Sequence, residues 1–252
     1  MEAYTNFAEV YDTFMDNVPY EEWADYLQDI LKEYQIEDGL IMELGCGTGS
    51  MTEILAYKGF DMIGVDNSED MLELAMEKRT KSGYDILYLL QDMREFELYG
   101  TVRAIVSVCD CINYVTEEED LEQVFRLVNN YLDPEGIFVF DFNTEYKYEH
   151  VLGEQVIAED REDCSFIWDN YYDEEEKINE YELTLFVRDG KTPDLYRKYQ
   201  EVHYQRAYAL SQIKTYIEKA GLKFIKAYDG YTKNKPMCNS ERICVVAQEC
   251  GK

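Results

Sequence analysis

The chain has 252 residues, 46% of them hydrophobic and 14% aromatic, which excludes intrinsic disorder and allows a sizeable core. Its formal net charge is -29, which makes phosphate backbones and anionic lipid unfavourable partners; such a surface can attract cationic substrates or simply serve solubility.

Tyr20 to Tyr34 places Trp23, Leu27, Ile30, Leu31 and Tyr34 at helical spacing, so the chain opens with cap helices within residues 1–35. Leu40 to Leu44 is a short apolar strand that runs into Gly45-Cys46-Gly47-Thr48-Gly49. A helix is expected from after Gly49 to about Tyr57, and then a strand, Met62 to Val65, closes on Asp66. Ser68 caps the next helix, with Glu69 and Asp70 in its first turn. Ile86 to Leu90 and Val102 to Val108 are the third and fourth strands. Thr116-Glu117-Glu118-Glu119 reads as a capping box opening a helix whose apolar face is Leu121, Val124, Phe125, Val128 and Leu132. Asp133 to Gly136 is a turn, and Ile137 to Phe142 is a fifth strand. Strands that are near-continuous apolar runs between helices predict a parallel sheet covered on both faces.

The pattern changes after Asn143. Ser165 to Tyr171 and Ile178 to Val187 alternate as strands, separated by acidic or glycine turns at Asp173 to Glu176 and Arg188 to Lys191. Residues 149–204 are therefore expected to be an antiparallel insert, serving as a cap or as the interface of a homodimer. A helix returns near Leu210 to Ala220 and stops at Gly221. Leu222 to Tyr228 and Ile243 to Ala247 then pair antiparallel at the end of the main sheet. The expected fold is α/β: a doubly wound, mostly parallel, seven-stranded Rossmann-like sheet with an antiparallel β insert before the last helix. With no repeat or linker, it is one domain, with core segments 36–148 and 205–252.

Seven cysteines, two histidines and no paired CxxC spacing predict reduced thiols in a cytoplasmic protein and no metal site. The first residues, MEAYTNFAEVYDTF, do not read as a signal peptide, and no apolar run is long enough to span a bilayer.

The most informative segment is Glu43 to Gly49. Three glycines between a strand and a helix permit a tight turn and close approach of a ligand to the backbone. Asp66, at the end of the next strand, can accept both hydroxyls of a ribose. Gln91-Asp92-Met93 after strand three offers a carboxylate to an adenine amino group and a thioether to its face, and Met71 can supply the other face. The glycine spacing is G-x-G-x-G rather than the dinucleotide G-x-G-x-x-G, and no P-loop lysine follows.

ELGCGTG, then GVDNSEDML and QDM, resemble the class I S-adenosylmethionine-dependent methyltransferases. FAEVYDTFM, VPYEEWADYL, CDCINYV and EVHYQRAYALSQIKTYIEKAGL extend the likeness, along most of the chain, to a bacterial subgroup acting on small molecules. The resemblance implies an enzyme that moves a methyl group from S-adenosyl-L-methionine to a nitrogen or oxygen by in-line displacement. It implies that Glu43, Gly45, Cys46, Gly47 and Gly49 hold the methionyl and ribose parts. Asp66 would take the ribose, Asn67 and Met71 would line the adenine pocket, and Gln91, Asp92 and Met93 would bind the adenine. Cys109 and Asp110 would stand where methyl donor and substrate meet, with Tyr4, Tyr11 and Trp23 in the covering segment.

For the chemistry itself, His203 is the expected base because its ordinary pKa lies near neutrality. Tyr11 could bind the cofactor carboxylate, Arg206 could fork a substrate carboxylate or phosphate, and Asp110, Asn113 and Trp168 could orient or enclose the acceptor. Each of these also has an ordinary packing or capping role. Strand-end Asp110, Asp141 and Asn143 could hold Mg²⁺, although the subgroup resembled is metal-free. Two other functions stay open: a nicotinamide-dependent oxidoreductase, and a catalytically silent cofactor-binding protein acting through its insert.

Overall fold

A computed structural model describes residues 8–190, 192 and 194–252; Tyr4 and Lys191 lie outside them. Helices α1 (Ala8–Phe14) and α2 (Tyr20–Glu33) precede β1 (Leu40–Leu44), α3 (Ser50–Tyr57), β2 (Asp61–Asp66), α4 (Glu69–Ser82), β3 (Leu87–Leu90) and β4 (Val102–Ser107). Then come α5 (Glu118–Tyr131), β5 (Leu132–Asn143), four insert strands β6 (Val156–Asp160), β7 (Cys164–Asp173), β8 (Ile178–Arg188) and β9 (Tyr196–Arg206), and finally α6 (Leu210–Lys219), β10 (Leu222–Asp229) and β11 (Arg242–Glu249). The main sheet has seven strands in the order β10-β11-β5-β4-β1-β2-β3, and β6 to β9 form a second sheet of four in sequential order. Strands β1 to β5 pair in parallel, whereas β11 runs antiparallel to both β5 and β10.

The central strands are apolar at nearly every position because both of their faces are covered. On one face, Met42, Leu44, Ile105, Phe138, Phe140 and Val245 meet Val124 and Phe125 of α5 and Ile213 and Ile217 of α6. Their neighbours Ile41, Ala104, Val106, Val139 and Val246 point the other way, onto Leu27 and Ile30 of α2 and Leu55 of α3. The alternation follows from the two-residue side-chain period of a strand.

Two local expectations are corrected. The capping box at Thr116 does not form; α5 begins one residue later, with Glu117 in the cap position and no side-chain cap bond. The backbone before it is held elsewhere: Arg206 donates to the Thr116 carbonyl and the Tyr208 hydroxyl to that of Val115. Asp133 to Gly136 is not a turn ahead of the strand but a bulge inside β5, because pairing with β4 jumps from Val102↔Leu132 to Ala104↔Ile137. The insert strands run on to Arg206, slightly past the expected boundary.

Helix α1 bridges the two sheets. Val10 and Phe14 pack with Cys164, Tyr181, Leu183 and Leu185 on the inner face of the insert. Asp12, on its other side, accepts from the Thr48 hydroxyl at 2.6 Å and pairs with Lys78 of α4 at 2.6 Å. The helix is thereby fastened across the glycine loop.

Candidate functional site

The carboxyl ends of β1, β2 and β4 and the turn after β3 surround a cavity of about 770 Å³, inside the range of about 300–1,000 Å³ usual for small-molecule sites. The loop after β1 forms its floor. The Gly45 and Cys46 amides both donate to the Val65 carbonyl, at 2.8 and 3.0 Å, tying the loop to β2. Gly45 has a φ of 79°, and a Cβ there would come within 2.6 Å of the Cys111 sulfur. Only glycine meets both demands.

Asp66 closes the opposite wall. One carboxylate oxygen accepts the Gly47 amide at 2.8 Å and the other the Ser68 amide at 2.9 Å. A carboxylate has about four lone-pair sites, so acceptor capacity remains for the cavity that Asp66 lines. A diol facing this wall would find acceptors in place, and the residues thus fit an adenosyl group. Burial raises the Asp66 carboxyl while the amide bonds counter it.

Of the residues picked from sequence, the cavity brings together Tyr11, Glu43, Gly45, Cys46, Gly47, Asp66, Asn67, Met71, Gln91, Asp92, Met93 and Cys109. Two are more constrained than expected. The Asp92 carboxylate is held by Arg94 through its side chain, at 2.5 and 2.9 Å, and its amide, at 2.8 Å, which keeps its pKa low. The Gln91 side chain accepts the Glu97 amide at 2.7 Å.

The remaining candidates do not line the cavity. Gly49 caps α3 from behind in left-handed backbone. Trp23 stacks on Tyr231 at 4.1 Å, with Arg242 beside its ring. Asn113 is fully buried and stitches β5 to β9 through Asn143 and the Arg206 carbonyl. Arg206 spends its guanidinium on the Thr116 and Glu176 carbonyls. Trp168 lies within the insert, stacked on Tyr181 at 4.1 Å. His203 is buried in β9 and touches Tyr114 rather than the cavity.

Asp110 belongs to a charge network behind the site. Cys109 and Asp110 both take left-handed backbone, with φ of 60° and 54°, a strained pair for non-glycine residues. Asp141, at the end of β5, holds the bend by accepting both amides, at 3.2 and 2.7 Å. Arg242 then bridges Asp141 and Asp110 at 2.7 Å each. The Asp110 carboxylate also accepts from Gln205 at 2.7 Å, and Asp141 from Tyr231. Both acids are thus committed to this network. Sequence reasoning missed Arg242, Tyr231 and the organising role of Asp141, and it missed the cavity-lining Tyr20 and Tyr114. The available signals were CDCINYV and VPYEEWADYL, which contain Tyr114 and Tyr20 but do not say where those side chains turn.

Glu43 is 2% exposed, and burial, opposed by a bond from Thr52 and reinforced by Asp66, pushes its carboxyl up to about 8. A carboxyl whose folded pKa exceeds its unfolded one binds more protons when folded. It therefore stabilises the fold at low pH, and that contribution is lost as pH rises toward about 8 and beyond. Between about pH 6 and pH 9, wild type is expected to lose more stability to urea than Glu43→Gln, which has no such proton to release. Parallel curves for the two proteins would contradict the assignment.

Residues 41–136 match the family described as Methyltransferase domain. YqeM of Bacillus subtilis (strain 168), named as a methyltransferase, is 34% identical over 247 residues, 98% of this chain and 97% of that protein. The crystal structure of a S-adenosylmethionine-dependent methyltransferase from Clostridium acetobutylicum ATCC 824 superposes with a TM-score of 0.88 at 29% identity, covering 99% of this chain and 100% of that one. Over 136 residues, 53% of this chain and 56% of the relative, the chain is 28% identical to dTDP-3-amino-3,4,6-trideoxy-alpha-D-glucopyranose N,N-dimethyltransferase of Streptomyces venezuelae.

Proposed function

This chain belongs to the class I S-adenosylmethionine-dependent methyltransferases, and on that premise we propose that it methylates a nitrogen of a small molecule. S-adenosyl-L-methionine supplies the electrophilic methyl when bound. Glu43, the glycine loop and Asp66 would hold it, with Met71 and Asp92-Met93 at the adenine end. Those roles rest on the shared motif and on the lone pairs that Asp66 keeps toward the cavity.

The carrying observation is the other end of the cavity, lined by the three tyrosines Tyr11, Tyr20 and Tyr114 together with Cys109 and Cys111. Burial raises the pKa of Tyr11 and Tyr20, so both stay neutral hydroxyls. Neutral hydroxyls suit an uncharged amine, whose lone pair needs only alignment and a modest proton acceptor. Alignment alone is worth about 7–11 kcal/mol in such displacements. The relative named as an amino-sugar N,N-dimethyltransferase supports the same acceptor class, as does a net charge of -29, which draws cations toward the surface. An oxygen acceptor is the second reading, and the same three hydroxyls would also orient an alcohol.

Core and insert are read as one methyltransferase domain. Ile167, Tyr171 and Tyr204 on the outward face of the insert support pairing with a second copy, and seven unpaired thiols support a cytoplasmic setting. Among the described residues no helix is long and apolar enough to cross a membrane.

The test is transfer of radiolabelled methyl to amino sugars and amino acids, each beside its hydroxyl analogue. Label is expected in the amines. Label confined to the hydroxyl analogues would replace nitrogen by oxygen. Binding of the methyl donor with label in neither set would overturn the small-molecule reading.

A further inference from the structure

We propose that Tyr114 is the acceptor-side proton carrier of this enzyme and that buried Glu201 and His203 hold it in that role. The proposal rests on the small-molecule methyl transfer set out above. Tyr114 ends a short 3₁₀ turn, Cys111–Tyr114, and lines the cavity beside Cys109 and Cys111. Its oxygen does not end there. It lies 2.5 Å from the Tyr181 hydroxyl of β8 and 3.2 Å from His203 Nδ1 of β9. On the far side of the imidazole, Nε2 is 3.3 Å from the Glu201 carboxylate. Glu201 and His203 are 2% and 1% exposed, and the His203 ring is stacked on Tyr181 at 4.6 Å with an interplanar angle of 7°. Trp168 stacks on the other side of Tyr181. The expected base thus sits inside the insert, and its route to the cavity runs through a tyrosine.

The chemistry follows from donors and acceptors. The Glu201 carboxylate oxygen, 3.3 Å from Nε2, favours the proton on that nitrogen. Nδ1 is then a lone pair aimed at Tyr114, whose O–H donates to it, while the Tyr181 O–H donates to the Tyr114 oxygen. As the acceptor nitrogen forms its bond to the methyl carbon and the sulfur–methyl bond breaks, sulfur keeps the bonding pair as a thioether. The acceptor N–H proton passes to the Tyr114 oxygen, and the Tyr114 proton passes to Nδ1. The resulting imidazolium is balanced by Glu201. Tyr114 is the group that meets the acceptor; His203 and Glu201 are positioning residues that act through it. A lone buried histidine would serve packing alone. A carboxylate near one nitrogen and the hydroxyl of a cavity-lining tyrosine on the other make a directed chain.

The chain has two histidines, and His150 is half exposed, so nitrogen-15 NMR of the imidazoles is readable and His150→Gln assigns it. With S-adenosylhomocysteine bound, His203 is expected as the Nε2–H form with Nδ1 accepting a hydrogen bond, and Tyr114→Phe is expected to move the Nδ1 resonance toward that of a free lone pair. A proton on Nδ1, a doubly protonated ring, or an Nδ1 signal that Tyr114→Phe leaves in place would overturn the relay. Glu201→Gln is expected to shift the tautomer balance, and unchanged imidazole signals would again count against it. With the amine probes, Tyr114→Phe is expected to lower kcat about 100-fold with little change in KM for the methyl donor, the size usual for general-base assistance; an unchanged kcat would sink it. If no probe is labelled, the acceptor class fails while the NMR result still decides the relay.

Discussion

Asp66→Ala is expected to weaken binding of S-adenosylhomocysteine by at least about 100-fold, measured by titration calorimetry. The carboxylate accepts the Gly47 and Ser68 amides at 2.8 and 2.9 Å and faces the cavity with its remaining lone pairs. Hydrogen bonds to a charged acceptor are worth about 1.5–3 kcal/mol each. Loss of the two ribose contacts alone therefore amounts to about 3 kcal/mol or more, and each 1.4 kcal/mol is about tenfold in affinity. The Gly47 amide would also lose its anchor, releasing the middle of the loop. Asp66→Asn should fall between, since an amide offers one acceptor where the carboxylate offers two. Affinity unchanged in Asp66→Ala would remove the adenosyl pocket from the carboxyl end of β2.

Arg242→Met is expected to destabilise the protein by about 3–5 kcal/mol, the usual consequence of removing one partner from a buried ion pair. Asp141 is fully buried and, among the described residues, would keep the Tyr231 hydroxyl and two amides as its hydrogen-bond partners. Asp110 would lose its cation as well. The measurement is the urea midpoint at neutral pH. A double variant, Arg242→Met with Asp141→Asn, should recover part of the loss, because the penalty comes from the uncompensated carboxylate more than from the missing guanidinium. If the single variant is as stable as wild type, the network does not hold the bend at Cys109 and Asp110.

Most of the fold was legible because it is periodic. Strands buried on both faces must be apolar throughout, and α5 must show Leu121, Val124, Phe125 and Val128 on one side. The capping box was legible and wrong: Thr116 satisfies the pattern, but Arg206, 90 residues away, claims its carbonyl. The bulge at Asp133 to Gly136 was read as a turn because its composition is that of a turn, and only the register with β4 reveals the strand on both sides.

The residues that line the cavity at the carboxyl ends of β1 to β3 could be read from sequence, for a local reason. A glycine loop, the acid closing the next strand and the pair Asp92-Met93 each follow their own strand, so the alternation of strand and helix carries them to the same edge of the sheet. The acceptor end obeys no such rule. Tyr114 meets His203 across 89 residues and Arg242 meets Asp110 across 132, through an insert and a terminal hairpin whose packing no local pattern encodes. Residue spacing along one strand and the turn after it determines what the backbone can cradle. Which side chain of a distant strand meets Tyr114 or Asp110 is settled only when the sheets have docked.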